Sequence, residues 1–400
     1  MIDRRVFTKA GIALASTGLV KYSDCRASAS DAAGLATPVL HVGPSRETRT
    51  LADAARIARP GTTIEVDPGN YHADVAVWLH DNVTLRAPRG RARLVAHGAA
   101  AEGKGIWVVR ANGMRVEGFD FEGCRVPSRN GAGIRLDRGS LHVKDCSFRF
   151  NEMGLLTNND PGTSLMVEDC EFAHNLRPDG HNHNLYAGQI ARLTVVGSYF
   201  HHAHVGHLLK SRARMNRIFY NRLIDEPGGT ASYELEFPNG GVAHVVGNLI
   251  GQNPETENAH LISFGAEGLK WPRNELQLIH NTLLNPLATG GVYLRVAGGA
   301  DTIVARNNLL LGTGTLESAG AGDYRNNLHA QAQDFAQADA FDLRLRSDSE
   351  LIGKLMPLAD ATEAEMTPDR EYVHPRSTRA FRGTPHNPGA QQSTVSAPTR

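Results

Sequence analysis

The stretches LTVVGSYF (193–200) and AHVVGNLI (243–250) share a pattern that recurs along the middle of the chain. Each stretch has an apolar residue at its third place and another at its eighth. The same pattern fits six more stretches: MRVEGFDF (114–121), LHVKDCSF (141–148), LMVEDCEF (165–172), NRIFYNRL (216–223), LQLIHNTL (276–283) and TIVARNNL (302–309). Such a repeat, roughly 25 residues long, predicts a solenoid in which each coil packs only on its neighbours.

The residues around the sixth place of the repeat indicate strands joined by a tight bend. Apolar residues alternate with period 2 before that place, whereas a helical solenoid, the alternative, needs a period of about 3.6. We expect the bend at the sixth place, because Asn tolerates a left-handed backbone and its side chain can bond to the next coil. That place holds Phe119, Cys146, Cys170, Ser198, Asn221, Asn248, Asn281 and Asn307. The pattern therefore predicts an all-β fold, a parallel β-helix.

The residues on both sides of the repeats have the composition of caps. Thr50 precedes a short amphipathic run, residues 51–58, and the Pro-Gly pair at 60–61 ends it. A helix in this run would cover the open end of an apolar solenoid. We therefore expect an export signal at 1–29, an N-terminal cap at 30–68 with a helix at 51–58, a β-helix at 69–345, and an irregular C-terminal cap and tail at 346–400.

The composition is that of a globular protein without a dominant charge. Apolar residues make up 41% of the chain and charged residues 21%, which argues against disorder. The 42 Lys and Arg residues balance the 42 Asp and Glu residues. No excess of one sign therefore indicates binding to nucleic acid or to an anionic membrane.

The first residues of the chain resemble a twin-arginine export signal. The matching residues are Arg4, Arg5, Phe7 and Lys9. The apolar run that follows, 10–20, is too short to span a membrane, and the small residues at 27–29 would place cleavage near Ser30. Cleavage would leave an odd number of cysteines, which argues against a disulfide framework. We expect a periplasmic or secreted protein without a transmembrane segment.

A third strand in each coil places charged residues on one outer face. These strands read GIRL (133–136), GLLT (154–157), NLYAG (184–188), HLLKSRA (207–213), YELEF (233–237), HLISF (260–264) and VYLRV (292–296). Because side chains alternate along a strand, an inward Leu209 leaves Lys210 and Arg212 pointing outward. By the same argument, Glu234 and Glu236 point outward. We expect one groove lined by Asn184, Tyr186, Lys210, Arg212, Glu234, Glu236, His260 and Arg295, with His183 and Asn239 in the bordering loops. The alternative is a solvated face whose charges neutralise one another.

Histidines are concentrated near the same strands. Seven of the 18 lie between positions 174 and 207: His174, His181, His183, His201, His202, His204 and His207. Imidazoles are common ligands of transition metals, and the spacing of coils can bring several together. No HExxH or Cys-Cys-His spacing is present, however. A metal site and a plain role in the groove or in loop hydrogen bonds both stay open.

The segments GHNHNLYAG (180–188), GHLLKSRA (206–213) and YELEFPNGG (233–241), together with the N-terminal cap, resemble the pectate-lyase-like superfamily of right-handed β-helix proteins. The likeness covers roughly residues 38–390. It implies a site on the outer face of the first parallel sheet, where most members with known activity act on acidic polysaccharides. Lyases, hydrolases, epimerases and non-catalytic members share the architecture, so the resemblance implies a site and not one reaction.

The groove residues suit a polysaccharide lyase that cleaves a uronate by β-elimination. This reaction needs a base for the C5 proton, a positive group beside the carboxylate and an acid for the leaving oxygen. We expect Lys210 to be the base, aided by the positive charge of Arg212. Arg212 or Arg295 would hold the carboxylate, and Tyr186 or His207 would protonate the leaving group.

The resemblance to alginate-type β-helix lyases adds a possible calcium ion. Those enzymes hold it with one Asn and two Glu, which here would be Asn184, Glu234 and Glu236. Their Lys follows the Glu pair, whereas Lys210 precedes it by one coil. Two alternatives stay open: an inverting glycoside hydrolase with Glu234 and Glu236 about 7 Å apart, and a non-catalytic glycan-binding β-helix.

Overall fold

Strands of successive coils lie directly above one another and pair in parallel. The computed structural model describes residues 39–177, 179–256, 258–316, 321–358 and 366–396. Almost all regular structure in these ranges is strand, so the predicted all-β parallel β-helix is confirmed. The predicted export signal at 1–29 lies outside the described residues. Among the described helices, none has the length and apolar character needed to cross a membrane.

Three faces run along the β-helix. The site face consists of Ala76–Trp78, Met153–Thr157, His183–Ala187, His207–Ser211, Tyr233–Phe237, His260–Phe264 and Val292–Val296. The ladder face consists of Val39–Val42, Thr63–Val66, Thr84–Arg86, Ser164–Glu168, Arg192–Val196, Met215–Phe219, Val242–Val246, Glu275–Ile279 and Thr302–Arg306. Two long strands, Gly105–Glu117 and Ala132–Lys144, pass through both faces and join them into one sheet. The back face is a separate sheet of Gly69–His72, Ala92–Val95, Phe119–Glu122, Ser147–Arg149, Glu171–Ala173, Tyr199–His201, Arg222–Ile224, Leu249–Gly251, Thr282–Asn285, Leu309–Gly312 and Leu328–Ala330.

Asparagine side chains link the coils where the ladder face bends into the back face. Asn221 Nδ2 donates to Asn248 Oδ1 at 3.0 Å, and Asn248 Nδ2 donates to Asn281 Oδ1 at 3.0 Å. The repeat predicts this column, but its last stretch is displaced by one residue. Asn281 donates to Asn308, and not to Asn307, in the final coil.

The bend itself lies one residue earlier than the sequence predicts. Its left-handed residue occupies the fifth place of the repeat, as at Tyr220 (φ 56°) and His280 (φ 56°). In the last coil Asn307 takes this left-handed position, with φ 56°. Asparagine at the sixth place therefore serves the bonds between coils, and the adjoining residue makes the turn.

In earlier coils the sixth place holds cysteine and serine. Cys146 and Cys170 are buried there as free thiols, and Cys124 is a further free, buried thiol. The N–H of Cys170 donates to Ser198 Oγ at 3.1 Å. Small polar side chains thus continue the column, and these cysteines form no disulfide, as expected.

Apolar side chains fill the interior of the coils. Phe121, Phe148, Phe172 and Phe200 occupy one column, and their ring centroids are 5.0, 4.7 and 4.7 Å apart. All four side chains are fully buried. Stacked rings contribute about 0.5–1.5 kcal/mol per pair beyond their burial, so the column helps to hold these coils in register.

A short helix, Leu51–Ile57, covers the N-terminal end of the interior. Thr50 caps it by accepting the N–H of Asp53 at 3.0 Å. The Asp74 carboxylate accepts the N–H of Leu51 at 2.7 Å, which occupies another free donor of the first turn. The helix begins where the sequence predicts and ends one residue earlier.

Two antiparallel hairpins follow the last coil. Their strands are Phe335–Gln337 with Asp342–Leu345, and Arg370–Tyr372 with Thr378–Ala380. The second hairpin lies in segment 366–396, here called the clasp, for which the sequence predicts irregular structure. In the clasp, Arg376 Nη2 donates to Asp145 Oδ1 at 3.0 Å, and the N–H of Ala390 donates to Thr282 Oγ1 at 3.1 Å. The clasp therefore contacts coils that are far apart along the β-helix.

Candidate active site

The strands of the site face do not alternate over their whole length. Two successive residues point to the interior, as at Leu208 and Leu209, which are both fully buried. Alternation holds only after this pair, so Lys210 points outward as predicted. Its Cα partners are Tyr186 in the preceding coil and Glu236 in the following coil. These three residues form an outward column on the site face.

The interior pair removes Asn184 and Glu234 from the predicted groove. Asn184 accepts from Asn175 Nδ2 at 2.8 Å and donates to the carbonyl of His201 at 2.9 Å. Glu234 is only 1% exposed, and neither of its carboxyl oxygens has a hydrogen-bond partner among the described residues. Burial raises the pKa of Glu234 well above its usual value, with a further contribution from the charge of Asp225.

Two predictions that depend on these residues are therefore wrong. The calcium ligands Asn184, Glu234 and Glu236 do not converge, because only Glu236 faces the groove. These three residues do not fit a calcium ion. Nor can Glu234 and Glu236 act as the acid and base of an inverting hydrolase, since Glu234 is sealed in the interior.

Six side chains on the site face form a connected group, here called the charged cluster: Tyr186, His207, Lys210, Arg212, Glu236 and Glu267. Lys210 Nζ lies 2.8 Å from Glu236 Oε2 and 2.9 Å from Glu267 Oε1. The second oxygen of Glu267 accepts from Arg212 Nη2 at 2.7 Å. Glu267 thus bridges the two cations. The repeat does not predict this residue, because it comes from the loop after His260–Phe264, outside the aligned strands.

His207 is held by Glu236 at the centre of the charged cluster. Its Nδ1 lies 3.0 Å from Glu236 Oε2, and its ring contacts that of His183 with centroids 4.6 Å apart. Burial lowers the pKa of His207 below its usual value of 6.5, although Glu236 acts in the opposite direction. For Glu236, burial acts to raise the pKa, but the hydrogen bonds from His207 and Lys210 leave it lowered. Near neutral pH the pair is thus a neutral imidazole and a carboxylate.

Arg212 connects the charged cluster to the neighbouring loops. Its Nε donates to the hydroxyl of Tyr186 at 2.8 Å, and its Nη1 donates to Asn239 Oδ1 at 2.8 Å. The indole of Trp271 donates to the Arg212 carbonyl at 3.1 Å. These contacts fix the guanidinium over the site face, and they give Asn239 the place beside the groove that the sequence predicts.

His260 and Arg295 lie outside the charged cluster. Arg295 continues the outward column through Glu236 and Ser263, so it stands three coils from Lys210, about 14 Å at 4.8 Å per coil. The Nδ1 of His260 lies 2.9 Å from Asn258 Oδ1. Both residues border the groove without contacting the cluster.

A cavity of about 300 Å³ adjoins the charged cluster on the side of the earlier coils. Tyr186 and His183 line it together with Arg129, Arg135 and Arg177; it is called the arginine cavity below. The sequence does not predict these arginines as groove residues: Arg135 lies in the strand GIRL, to which no groove residue was assigned, and Arg129 and Arg177 come from loops whose course the repeat does not predict.

Comparison with known proteins supports the fold. No family model and no curated protein matches the sequence. Among solved structures, pectate lyase Pel9A is 14% identical, with a TM-score of 0.60; the match covers 88% of this chain and 96% of that one. A pectin methylesterase bound to a hexasaccharide is 11% identical, with a TM-score of 0.34 and coverage of 82% and 95%. From the parallel pairing, the capped interior and the likeness to Pel9A, we conclude that this chain has the pectate-lyase-like parallel β-helix fold.

Proposed function

We propose that this chain is an exported polysaccharide lyase that cleaves a uronate-containing glycan by β-elimination. One observation carries the proposal: the charged cluster stands at one end of the arginine cavity, and Tyr186 belongs to both. Arginine side chains suit the binding of carboxylates because they can donate two parallel hydrogen bonds. The similar structure Pel9A is that of a pectate lyase, which is consistent with an acidic glycan as substrate.

In this proposal His207 is the base, in place of Lys210. His207 Nδ1 lies 3.0 Å from Glu236 Oε2; a neutral ring with its proton on that nitrogen keeps a lone pair on Nε2, which can take the C5 proton. Lys210 Nζ instead donates to Glu267 at 2.9 Å and forms an ion pair with Glu236 at 2.8 Å, an arrangement that suits a cationic role. Lys210 was expected to be the base because Arg212 and partial burial would lower its pKa, whereas two carboxylates lie within 2.9 Å of its Nζ.

Lys210 and Arg212 would stabilise the charge that develops at the uronate carboxyl group. When the C5–H bond breaks, its electron pair forms the C4–C5 double bond, and negative charge moves through the enolate of the carboxyl group. Before substrate binds, Glu267 holds Lys210 and Arg212 in place. The incoming carboxylate would have to replace part of the contact between Glu267 and these two cations.

Tyr186 would complete the reaction by protonating the leaving oxygen. Its hydroxyl accepts from Arg212 Nε, so its own O–H remains available to donate. The C4–O bond breaks as that oxygen takes the proton. The products are an unsaturated uronate and a shortened glycan, and no other reactant is needed.

The test is a screen of the mature chain against acidic glycans. Lyase activity would appear as ultraviolet absorbance from the unsaturated uronate. We expect His207→Gln and Lys210→Ala each to reduce it by about 100-fold or more. Lys270→Ala, at an exposed lysine on the adjacent loop, should retain it. New reducing ends without absorbance would contradict elimination and indicate hydrolysis. Binding without either signal would indicate a glycan-binding β-helix.

We also propose that residues 1–29 direct export of the chain to the periplasm or medium. The proposal rests on the arginine pair and on the small residues at 27–29. The mass of the mature chain in the exported fraction tests it, because cleavage near Ser30 predicts a defined loss. Replacement of both Arg4 and Arg5 by Lys should retain the chain in the cytoplasm; unchanged export would contradict a twin-arginine signal.

A further inference from the structure

Three histidines form a compact group away from the charged cluster. His201 ends the strand Tyr199–His201 of the back face, and His202 follows it. His174 follows the strand Glu171–Ala173 in the preceding coil. One ring nitrogen from each of the three lies within 4.8 Å of those from the other two. Two successive coils thus bring three potential ligand atoms together.

The contacts of His201 and His202 suit tautomers whose Nδ1 lone pairs face each other. His201 Nε2 lies 3.2 Å from a carboxylate oxygen of Glu171, so its N–H is donated there. The ring of His202 hydrogen-bonds the backbone of Pro227. A neutral imidazole has only one N–H, yet His201 Nδ1 and His202 Nδ1 are 2.5 Å apart. A cation between the two nitrogens would relieve the repulsion of their lone pairs.

The backbone positions His174 and His202 at the same corner of adjacent coils. Both residues are left-handed, with φ of 54° and 48°, as is Phe150 in the coil before them, so this conformation makes the turn after the back-face strand in these coils. The rings of His174 and His202 stack with centroids 4.4 Å apart. The corner therefore presents two imidazoles side by side, with His201 at their edge.

We propose that His174, His201 and His202 bind a divalent transition metal ion of the Zn²⁺ type through three imidazole nitrogens. Tetrahedral coordination at 2.0–2.1 Å places ligand nitrogens about 3.3 Å apart, so small rotations of the rings suffice. Glu171 orients His201 by accepting its Nε2–H, the usual arrangement of a histidine that binds metal. The fourth position stays open to water. The ion would tie two coils together at the edge of the back face.

Titration with Co²⁺ and Zn²⁺ tests the proposal on the full mature chain, produced without a polyhistidine tag and treated with chelator. We expect one equivalent of Co²⁺ to give visible ligand-field bands, and Zn²⁺ to displace it and to raise the melting temperature. His174→Gln and His201→Gln should each weaken binding at least 100-fold. His204→Gln is the matched control, since His204 is an exposed histidine bonded to Thr230 outside the group.

The two variants keep the test independent of folding. His174 is half-buried at the corner, so its variant should keep the circular dichroism spectrum of the parent even if His201→Gln does not fold. Failure of the parent chain to bind Co²⁺ or Zn²⁺ stoichiometrically would overturn the proposal. Equal binding by His174→Gln and the parent would overturn it as well. Neither result depends on lyase activity.

Discussion

His207 illustrates how burial and a neighbouring charge compete at one side chain. Burial favours the neutral ring, and Glu236 favours the protonated ring; burial is the larger effect, so the pKa of His207 is lowered. If His207 is the base, activity requires the neutral form and is lost as pH falls through the lowered pKa. We therefore expect the acidic limb of kcat/KM to lie below pH 6.5, the ordinary value for histidine.

The comparison of variants tests this assignment. His207→Gln should reduce kcat by about 10²–10⁴-fold, the usual contribution of a general base, and should remove the acidic limb from the pH profile. His204→Gln should change neither. An acidic limb that persists in His207→Gln would assign that titration to another group.

Glu234 makes a prediction about stability because its carboxyl group is buried without hydrogen-bond partners. Its pKa is raised in the folded state, so folding favours the protonated form. The stabilisation is complete below the unfolded pKa, near 4.5, and is lost as pH rises toward the folded pKa. Nearby Asp225 acts in the same direction, since burial raises its pKa to about 7.

We expect urea unfolding to give a lower free energy at pH 8 than at pH 5. Glu234→Gln should reduce this difference by about 1–3 kcal/mol, because the amide stays neutral. Glu117→Gln, at an exposed carboxylate of the ladder face, is the control and should leave the difference unchanged. An equal pH dependence in the Glu234 variant would show that its carboxyl group is not the source.

At the scale of the strand, the sequence predicts the fold better than the site. The column of small and amide side chains beside the ladder face can be predicted because such a side chain recurs at the sixth place of the repeat. Stacked coils explain this recurrence, since each side chain then lies next to its equivalent in the neighbouring coil. Asn248 shows the reason: its amide both accepts from Asn221 and donates to Asn281. In the last coil the predicted column is displaced by one residue at Asn307, because two asparagines are adjacent and only their backbone conformation distinguishes their roles.

Strand alternation predicts the site only in part, because it fails at a local irregularity. Lys210 and Glu236 are placed correctly, since they follow the interior pair, whereas Glu234 belongs to that pair. Nothing in the letters YELEF distinguishes the two glutamates. Glu267 could not be found at all by alternation, because its position depends on a loop fold. Sites on a β-helix are therefore predictable where strands supply them and not where loops do.

At the scale of the whole molecule, the clasp departs from the usual rule that solenoid coils contact only their neighbours. Its Arg376 bonds to Asp145 in an early coil, and its Ala390 bonds to Thr282 in a late coil. In a coil between those two, the hydroxyl of Tyr220 donates to Asp369 of the clasp at 3.2 Å. The clasp therefore couples coils that would otherwise unfold with some independence.

A chain shortened to end at Leu358 tests this coupling. We expect the free energy of unfolding to fall by roughly 3–5 kcal/mol, from lost hydrogen bonds at about 1 kcal/mol each and lost burial of Met366 and Tyr372.

The unfolding transition of the shortened chain should also become less cooperative. In the parent chain, urea unfolding followed by tryptophan fluorescence should coincide with that followed by circular dichroism. In the shortened chain the two should separate when Trp271 is replaced by Phe in both chains, because the remaining Trp78 and Trp107 report only the N-terminal coils. A chain ending at Ser396 keeps the clasp and serves as the control. Coincident transitions in the Leu358 chain would mean that contacts between neighbouring coils alone account for the cooperativity of the β-helix.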